Sequence, residues 1–461
     1  MDASRISGCG SPILATTALM ATVARSEAGV RLTSPPANVS LAPSERSGEM
    51  AKRRATRTGH PEKKPRMELS WPARSRKRAY DLVMQLMEIP GKTGEESLVA
   101  DYVRRALREA GAPNSAFSED SAHHRTPNPG QLGNLVVTIP GNVRAPRRMF
   151  SAHMDTVPIC VGSQPVRHNR IVRSADDETG LGADDRAGVA VILQTALEIL
   201  RTDRPHPPLT FCFFVQEEGG LHGSRCMSVG ALRKPWLAFN WDGGSPYKLT
   251  IGATGGYRML VDIRGIASHA GGAPECGVSA ISVAALAIAD LQRNGWHGLI
   301  QKPAGVGTSN VGFLHGGEAT NVVTDRVAVK IEARSHDPKF RKQIVKQIER
   351  AFRAAVKEVR NVAGAVGKLT IDGQLDYESF VLDRDEPCVR EAAQAVRDVG
   401  GEPVYAIANG GVDANWTTAH GIPTVSLGCG QKNQHMTSEM LDLDQFEDAC
   451  RIANRLAAHL E

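Results

Sequence analysis

No apolar run in this chain is long enough to span a bilayer as a helix, which takes about 20 residues, so a membrane protein is not expected. The mildly apolar stretch 11–24 follows a weakly charged start and is broken by threonines, which makes it a poor signal peptide. Paired cysteines are missing too. The eight cysteines stand singly, without the spacing of a zinc knuckle or a redox motif, so they read as reduced thiols and the compartment as cytoplasm. The basic run from Lys52 to Arg66 has no aromatic residue interleaved and no folded module around it, so nucleic acid is not an expected partner. The net charge of +5 falls within the first 70 residues, leaving the remainder near neutral.

Residues 1–70 lack helical or strand periodicity and are rich in Ala, Ser, Thr, Pro, Lys and Arg, the composition of a disordered basic tail. From Lys77 onward the texture changes. Leu82, Leu86 and Met87, then Leu98, Tyr102, Val103 and Leu107, recur at helical spacing and predict two amphipathic helices. Strand-like runs at 134–139, 148–152, 209–215 and 237–241 alternate with a helix at 186–200 and a shorter one after His222. This order predicts an α/β domain with a mainly parallel sheet covered on both faces. From about Thr250 the pattern becomes strand (257–263), helix (278–291), two strands (306–313 and 326–333) and helix (338–359), an inserted α+β open sandwich. The α/β texture returns after about Asp372, with a helix at 387–399, a strand at 424–427 and a last helix from Leu443. The expected division is a tail at 1–70, one domain formed by 75–250 and 371–461, and an insert at 251–370.

Ionisable residues gather where these strands end. His153 and Asp155 are two apart after a strand and face the same side, so the carboxylate can fix the imidazole tautomer and leave one ring nitrogen for a cation. Asp184 and Asp185 close the glycine-rich loop GLGADDRAG, and one of the two could bridge two cations or simply cap the following helix. Glu217 and Glu218 follow a strand and point apart, so one can bind metal while the other stays free as a general base. Asp242 ends another strand before two glycines, and His435 lies in the polar loop GCGQKNQHMTSE. Imidazoles and carboxylates at successive strand ends of one sheet form a donor set suited to zinc.

In combination the motifs are specific: HMDTV from His153, GADDRAG around Asp184, EEGGLHGS from Glu217, DGG from Asp242, SHAGGAPECGVSAI around His269, TNVV around Asn321, EARS around Arg334 and QHMTSE around His435. Over residues 75–461 the chain resembles the dinuclear zinc exopeptidases, the family of carboxypeptidase G and succinyl-diaminopimelate desuccinylase, and most nearly the peptidase T-like enzymes. The resemblance implies a zinc-exopeptidase catalytic domain with an inserted lid and dimerisation domain. It implies that Asp184 bridges two divalent cations, zinc with cobalt or manganese as substitutes, that Glu218 and His435 hold one, and that His153 and Asp242 hold the other. It further implies Glu217 as general base, Asp155 as the residue that orients His153, and a cis peptide bond between Asp184 and Asp185. His269 would be an oxyanion donor reaching the site from the partner in a homodimer. Asn321 and Arg334 would grip the substrate, and Asn409, Gly410, Gly411 and Asp413 would line the pocket. In the insert, the helical stripe Ile281, Ala284, Ala285 and Ile288 offers either a core or a face for pairing across a twofold axis.

A cation pair in such a site supplies an activated water and a Lewis acid for the scissile carbonyl. The expected function is metal-dependent hydrolysis of amide bonds in short peptides, of the tripeptide aminopeptidase kind. An N-acyl amino acid deacylase is the alternative within the same chemistry. A non-catalytic metal- or nucleic-acid-binding protein is a poorer fit, since it has no need of the unliganded Glu217.

Overall fold

Alternating apolar side chains at strand spacing give the main sheet two buried faces. Phe150, Phe211, Phe213, Phe239 and Trp241 point to one side, while Met149, Cys212, Phe214 and Ala238 point to the other. The computed structural model describes residues 71–202 and 204–458, so the expected tail at 1–70 lies outside the described residues. The sheet has nine strands, and at its centre Leu209–Phe214, Arg148–His153, Leu237–Trp241 and Thr424–Leu427 run parallel. Antiparallel strands flank this centre: Leu135–Ile139 on one side, and Lys248–Ala253 with Phe380–Val381 on the other.

The larger core packs the first face against the helices Ala73–Glu88, Ser97–Glu109, Ala183–Arg201, Pro387–Asp398 and Leu443–Ala457. Phe150 stacks between Phe211 and Trp241, with ring centroids 5.4 and 5.6 Å apart. Full burial of each such ring stabilises the fold by about 1.5–3 kcal/mol. The second face is covered by a smaller cluster that includes Met227, Leu232 and Ile422.

The chain leaves this sheet after Lys248–Ala253 and rejoins it at Phe380–Val381. Between them lies a five-stranded antiparallel sheet in the order Gly298–Lys302, Gly305–Gly316, Arg326–Ser335, Gly255–Arg264, Lys368–Tyr377. One face carries the helices Ala280–Arg293 and Pro338–Glu358 on a core of Met259, Val261, Ile263, Val329, Ile331, Ile348 and Phe352. The sequence pattern predicts two fewer strands here. Gly298–Lys302 and Lys368–Tyr377 sit at the two edges of this sheet, where few positions are buried and the apolar signal is weak. Of the two readings of the stripe Ile281, Ala284, Ala285 and Ile288, the core reading needs correction: the buried side of that helix is Ala280, Val283, Ala284, Ala287 and Leu291, and Ile281 is 42% exposed. A third, four-stranded sheet joins the hairpin Pro165–His168 and Ile171–Ser174 to the short strands Gln431–Lys432 and Met440–Asp442 on either side of His435.

Candidate metal centre

All five expected ligands lie at one end of the nine-stranded sheet, beyond the carboxyl ends of its parallel strands, where open α/β sheets place ligands. His153 is the last residue of Arg148–His153, and Asp242 directly follows Leu237–Trp241. Glu217 and Glu218 lie in the turn after Leu209–Phe214, where Gln216 takes a left-handed φ of 54°. Asp184 opens the helix Ala183–Arg201 in a non-helical conformation, and its bond to Asp185 is cis. His435 sits at φ 63° in the loop beyond Thr424–Leu427. The glycine of DDRAG is sterically required: a Cβ on Gly188 would fall 2.4 Å from both the Asp185 carboxylate and the Trp241 carbonyl oxygen.

Two groups of potential ligand atoms, each within 4.8 Å, share Asp184: His153, Asp184 and Asp242 form one, and Asp184, Glu218 and His435 the other. His153 Nε2 is 3.3 Å from Asp184 Oδ1, while His435 Nε2 is 3.5 Å from Asp184 Oδ2 and 2.9 Å from Glu218 Oε1. Glu217 lies in a third, overlapping group with His153 and Glu218, its Oε2 4.0 Å from His153 Nε2.

The residues fit a pair of cations. Asp184 Oδ1 is buried and accepts no hydrogen bond, with His153 Nε2 3.3 Å away. Burial, followed by repulsion from Asp184, raises the Asp242 carboxyl to about 7. Burial likewise raises Glu218 and, more strongly, Glu217. Hydrogen bonds to Asp184 and Glu218 lift His435 to about 10. Carboxylates that resist ionising beside histidines that hold their protons describe a pocket with surplus negative charge, which divalent cations would neutralise.

Buried polar side chains fix the backbones that carry these ligands. His153 Nδ1 donates to the Asp155 carbonyl oxygen at 3.1 Å, which leaves Nε2 facing the cluster. The Asp155 carboxylate accepts the amides of Glu217 (2.9 Å) and Glu218 (3.1 Å) and the Thr93 hydroxyl (2.8 Å). Asp185 points away from the cluster and accepts from the His153 amide at 3.1 Å and from Gln431 at 2.8 Å. Sequence reasoning missed three such residues. Glu96 accepts the Gln216 amide (3.0 Å) just before Glu217. Gln431 ties Gly243, beside Asp242, to Ala183, beside Asp184. Glu439, raised to about 7 by burial, accepts the amides of Gly182 and Asp184. The only signal for Glu439 is the last letter of QHMTSE.

The remaining expected residues fall in two other places. His269 and Asn321 meet in the insert, where Ala270 N–H donates to the Asn321 carbonyl at 2.9 Å. The amides of Gly271 and Gly272 both donate to His269 Nδ1 (3.1 and 2.9 Å), which puts the ring proton on Nε2. Among the described residues, no hydrogen bond or ion pair joins His269 or Asn321 to the metal cluster. Arg334 pairs with Glu332 at 3.0 Å in the same sheet as Tyr377. The NGG loop lies near: Asn409 contacts His336 at 3.2 Å, and a Cβ on Gly411 would meet the Tyr377 ring at 2.9 Å. Gly410 is exposed, and burial raises the Asp413 carboxyl to about 6.

The model of peptidase family M20/M25/M40 matches residues 149–459, well over half of the chain. The chain belongs to this family. It is therefore a hydrolase of a dinuclear metallopeptidase family, and its two main sheets correspond to the M20 catalytic and lid domains. It is 29% identical to the uncharacterized protein YqjE of Bacillus subtilis over 372 residues, which cover 80% of this chain and 95% of that one. It is 27% identical to peptidase T of Escherichia fergusonii over 413 residues, covering 80% and 93%. Among solved structures it is similar to a tripeptidase from Staphylococcus aureus, with a TM-score of 0.74 and 29% identity, covering 83% of this M20 chain and 97% of that one.

Proposed function

We propose that this M20 protein hydrolyses short peptides, preferably tripeptides with a free amino end, using two zinc ions and Glu217 as general base. The observation that carries this reading is Glu217 itself, a carboxylate at the edge of the cluster that neither of the two groups sharing Asp184 requires. The cations, held by His153, Asp242, Glu218, His435 and the shared Asp184, would supply water activation and carbonyl polarisation. Burial keeps Glu217 a good proton acceptor, and it would pass the proton on to the leaving nitrogen. Asp155 keeps the His153 tautomer and the Glu217 backbone in place together. Arg334 and Asn321 would grip the peptide, with the loop Asn409–Gly411 beside it, and the choice of tripeptides is supported by the tripeptidase and peptidase T relatives.

His269 presents an Nε2 proton suited to an oxyanion but has no bond to its own subunit's cluster, so we assign it to the partner's site in a homodimer. The outward-facing Ile281 and Leu299, the latter 66% exposed, supply apolar surface on the insert for such pairing. The seven described cysteines are free, as a reducing cytoplasm would keep them. The test is a digest of free and N-acetylated di-, tri- and tetrapeptides by the zinc-loaded protein, read by mass spectrometry. Free tripeptides should be cut from the amino end at least about tenfold faster than the rest, a difference of about 1.4 kcal/mol in barrier. Cleavage confined to N-acyl substrates would establish a deacylase instead.

A further inference from the structure

We propose that Glu439 is the positioning residue of the bridging carboxylate: by fixing the backbone at Gly182 and Asp184 it sets where Asp184 stands between the two cation positions. The inference rests on the reading of Asp184 as the ligand common to both. The segment ahead of the helix Ala183–Arg201 cannot satisfy its own amides. Gly182 has a φ of 74°, Asp184 and Asp185 are non-helical, and the first amides of a helix have no partner within it. Glu439 takes two of them: Oε1 accepts from Asp184 N–H at 2.9 Å, and Oε2 accepts from Gly182 N–H at 2.7 Å. The Cys160 thiol lies 3.6 Å from the same Oε2. Glu439 is 1% exposed, so no water competes for these bonds.

The chemistry selects a carboxylate. Both of its oxygens accept, whereas a glutamine would turn its NH₂ toward one of the two amides, donor against donor. Glu439 also lies four residues beyond His435. The loop that supplies one ligand directly therefore holds a second through its backbone, and displacement of the loop moves both. Glutamine matches glutamate in size and keeps one acceptor oxygen, so the substitution need not unfold the chain. The change loses one of the two amide contacts and with it the placement of Asp184.

The test uses the full-length protein as Glu439→Gln. Zinc affinity is measured by competition with a chromogenic chelator, and thermal melting is measured on the metal-free protein. Affinity should fall about 10- to 100-fold, the usual effect of removing a partner that orients a ligand, while the apoprotein melts within a few degrees of the parent. Unchanged affinity in a folded variant overturns the proposal. If the variant does not fold, hydrogen exchange on the parent apoprotein decides. The amides of Gly182 and Asp184 should be strongly protected, and rapid exchange there overturns the assignment. Asp184→Ala, assayed for metal in parallel, separates the two readings. Retention of both cations would defeat the shared-ligand reading, whereas their loss together with normal affinity in Glu439→Gln would defeat only the role of Glu439.

Discussion

The central strands of the nine-stranded sheet are buried almost without interruption, whereas Arg326–Ser335 in the insert alternates between buried and open positions. Polar groups in the two regions differ accordingly. At the ends of the buried strands, side chains leave water altogether, and each must find fixed partners or remain costly. Asp155, Asp185, Gln431 and Glu439 meet that demand by tying down the backbones that carry the ligands. On the open face of the insert sheet, Arg258, Lys330, Glu332 and Arg334 stay partly solvated, and ion pairs there such as Arg334–Glu332 are of the weak surface kind. On the function proposed above, a site built in this way would have a preset reacting centre and an adaptable grip on the substrate.

Three changes would break or sharpen that contrast. Glu217→Gln acts at the preset centre and should lower turnover about 10²- to 10⁴-fold while elemental analysis still finds both metals. Loss of metal in that variant would make Glu217 a ligand, and near-normal turnover would remove it as the base. His269→Ala acts from the insert and should cost about 10²- to 10³-fold in kcat, the usual effect of losing one oxyanion donor. Purified heterodimers of this variant with Glu217→Gln contain one site with both residues intact and should recover about half of the parent dimer's activity, since the damaged groups share the other site. Heterodimers as inactive as the parent variants would place His269 in its own subunit's site or outside catalysis. Arg334→Lys should have the smallest effect, raising KM for tripeptides about tenfold, or roughly 1.4 kcal/mol, with kcat within about twofold. A fall in kcat instead would show that the insert belongs to the preset centre.

The convergence of the candidate ligands was legible because a carboxylate or imidazole at the end of an apolar strand stands out against its surroundings. Four of the five candidates follow strands of one sheet, whereas Asp184 opens the helix Ala183–Arg201 and was marked by its glycine-rich loop. Asp155 was legible for a similar reason, since two residues along a strand return a side chain to the same face. Both its backbone carbonyl, at 3.1 Å, and its carboxylate, at 3.4 Å, face His153 Nδ1, and the same carboxylate also takes the amides of Glu217 and Glu218, a double duty that no spacing encodes. Edge strands such as Val404–Ala408, with no fully buried position, gave no alternation to read. The stripe around Ile281 does not mark the core because alanines and isoleucines make up half of that helix, and several faces of it pass for apolar.

By itself, then, the sequence determined which residue types stand at which strand ends, because the strand and helix periods are local and each element carries its own record of burial. It also determined the chemistry, since a mixed set of imidazoles and carboxylates favours a divalent cation wherever the set converges. Only the tertiary structure decided how the ligands are held. Glu439 reaches Asp184 across 255 residues of chain and Gln431 reaches Asp185 across 246, and contacts over such separations arise from how the sheet and its loops pack, leaving no periodic trace in the chain. Tertiary structure likewise decided that Asp185 faces away from its neighbour Asp184, because in a non-helical turn the direction of a side chain follows from backbone angles that only the surrounding packing fixes.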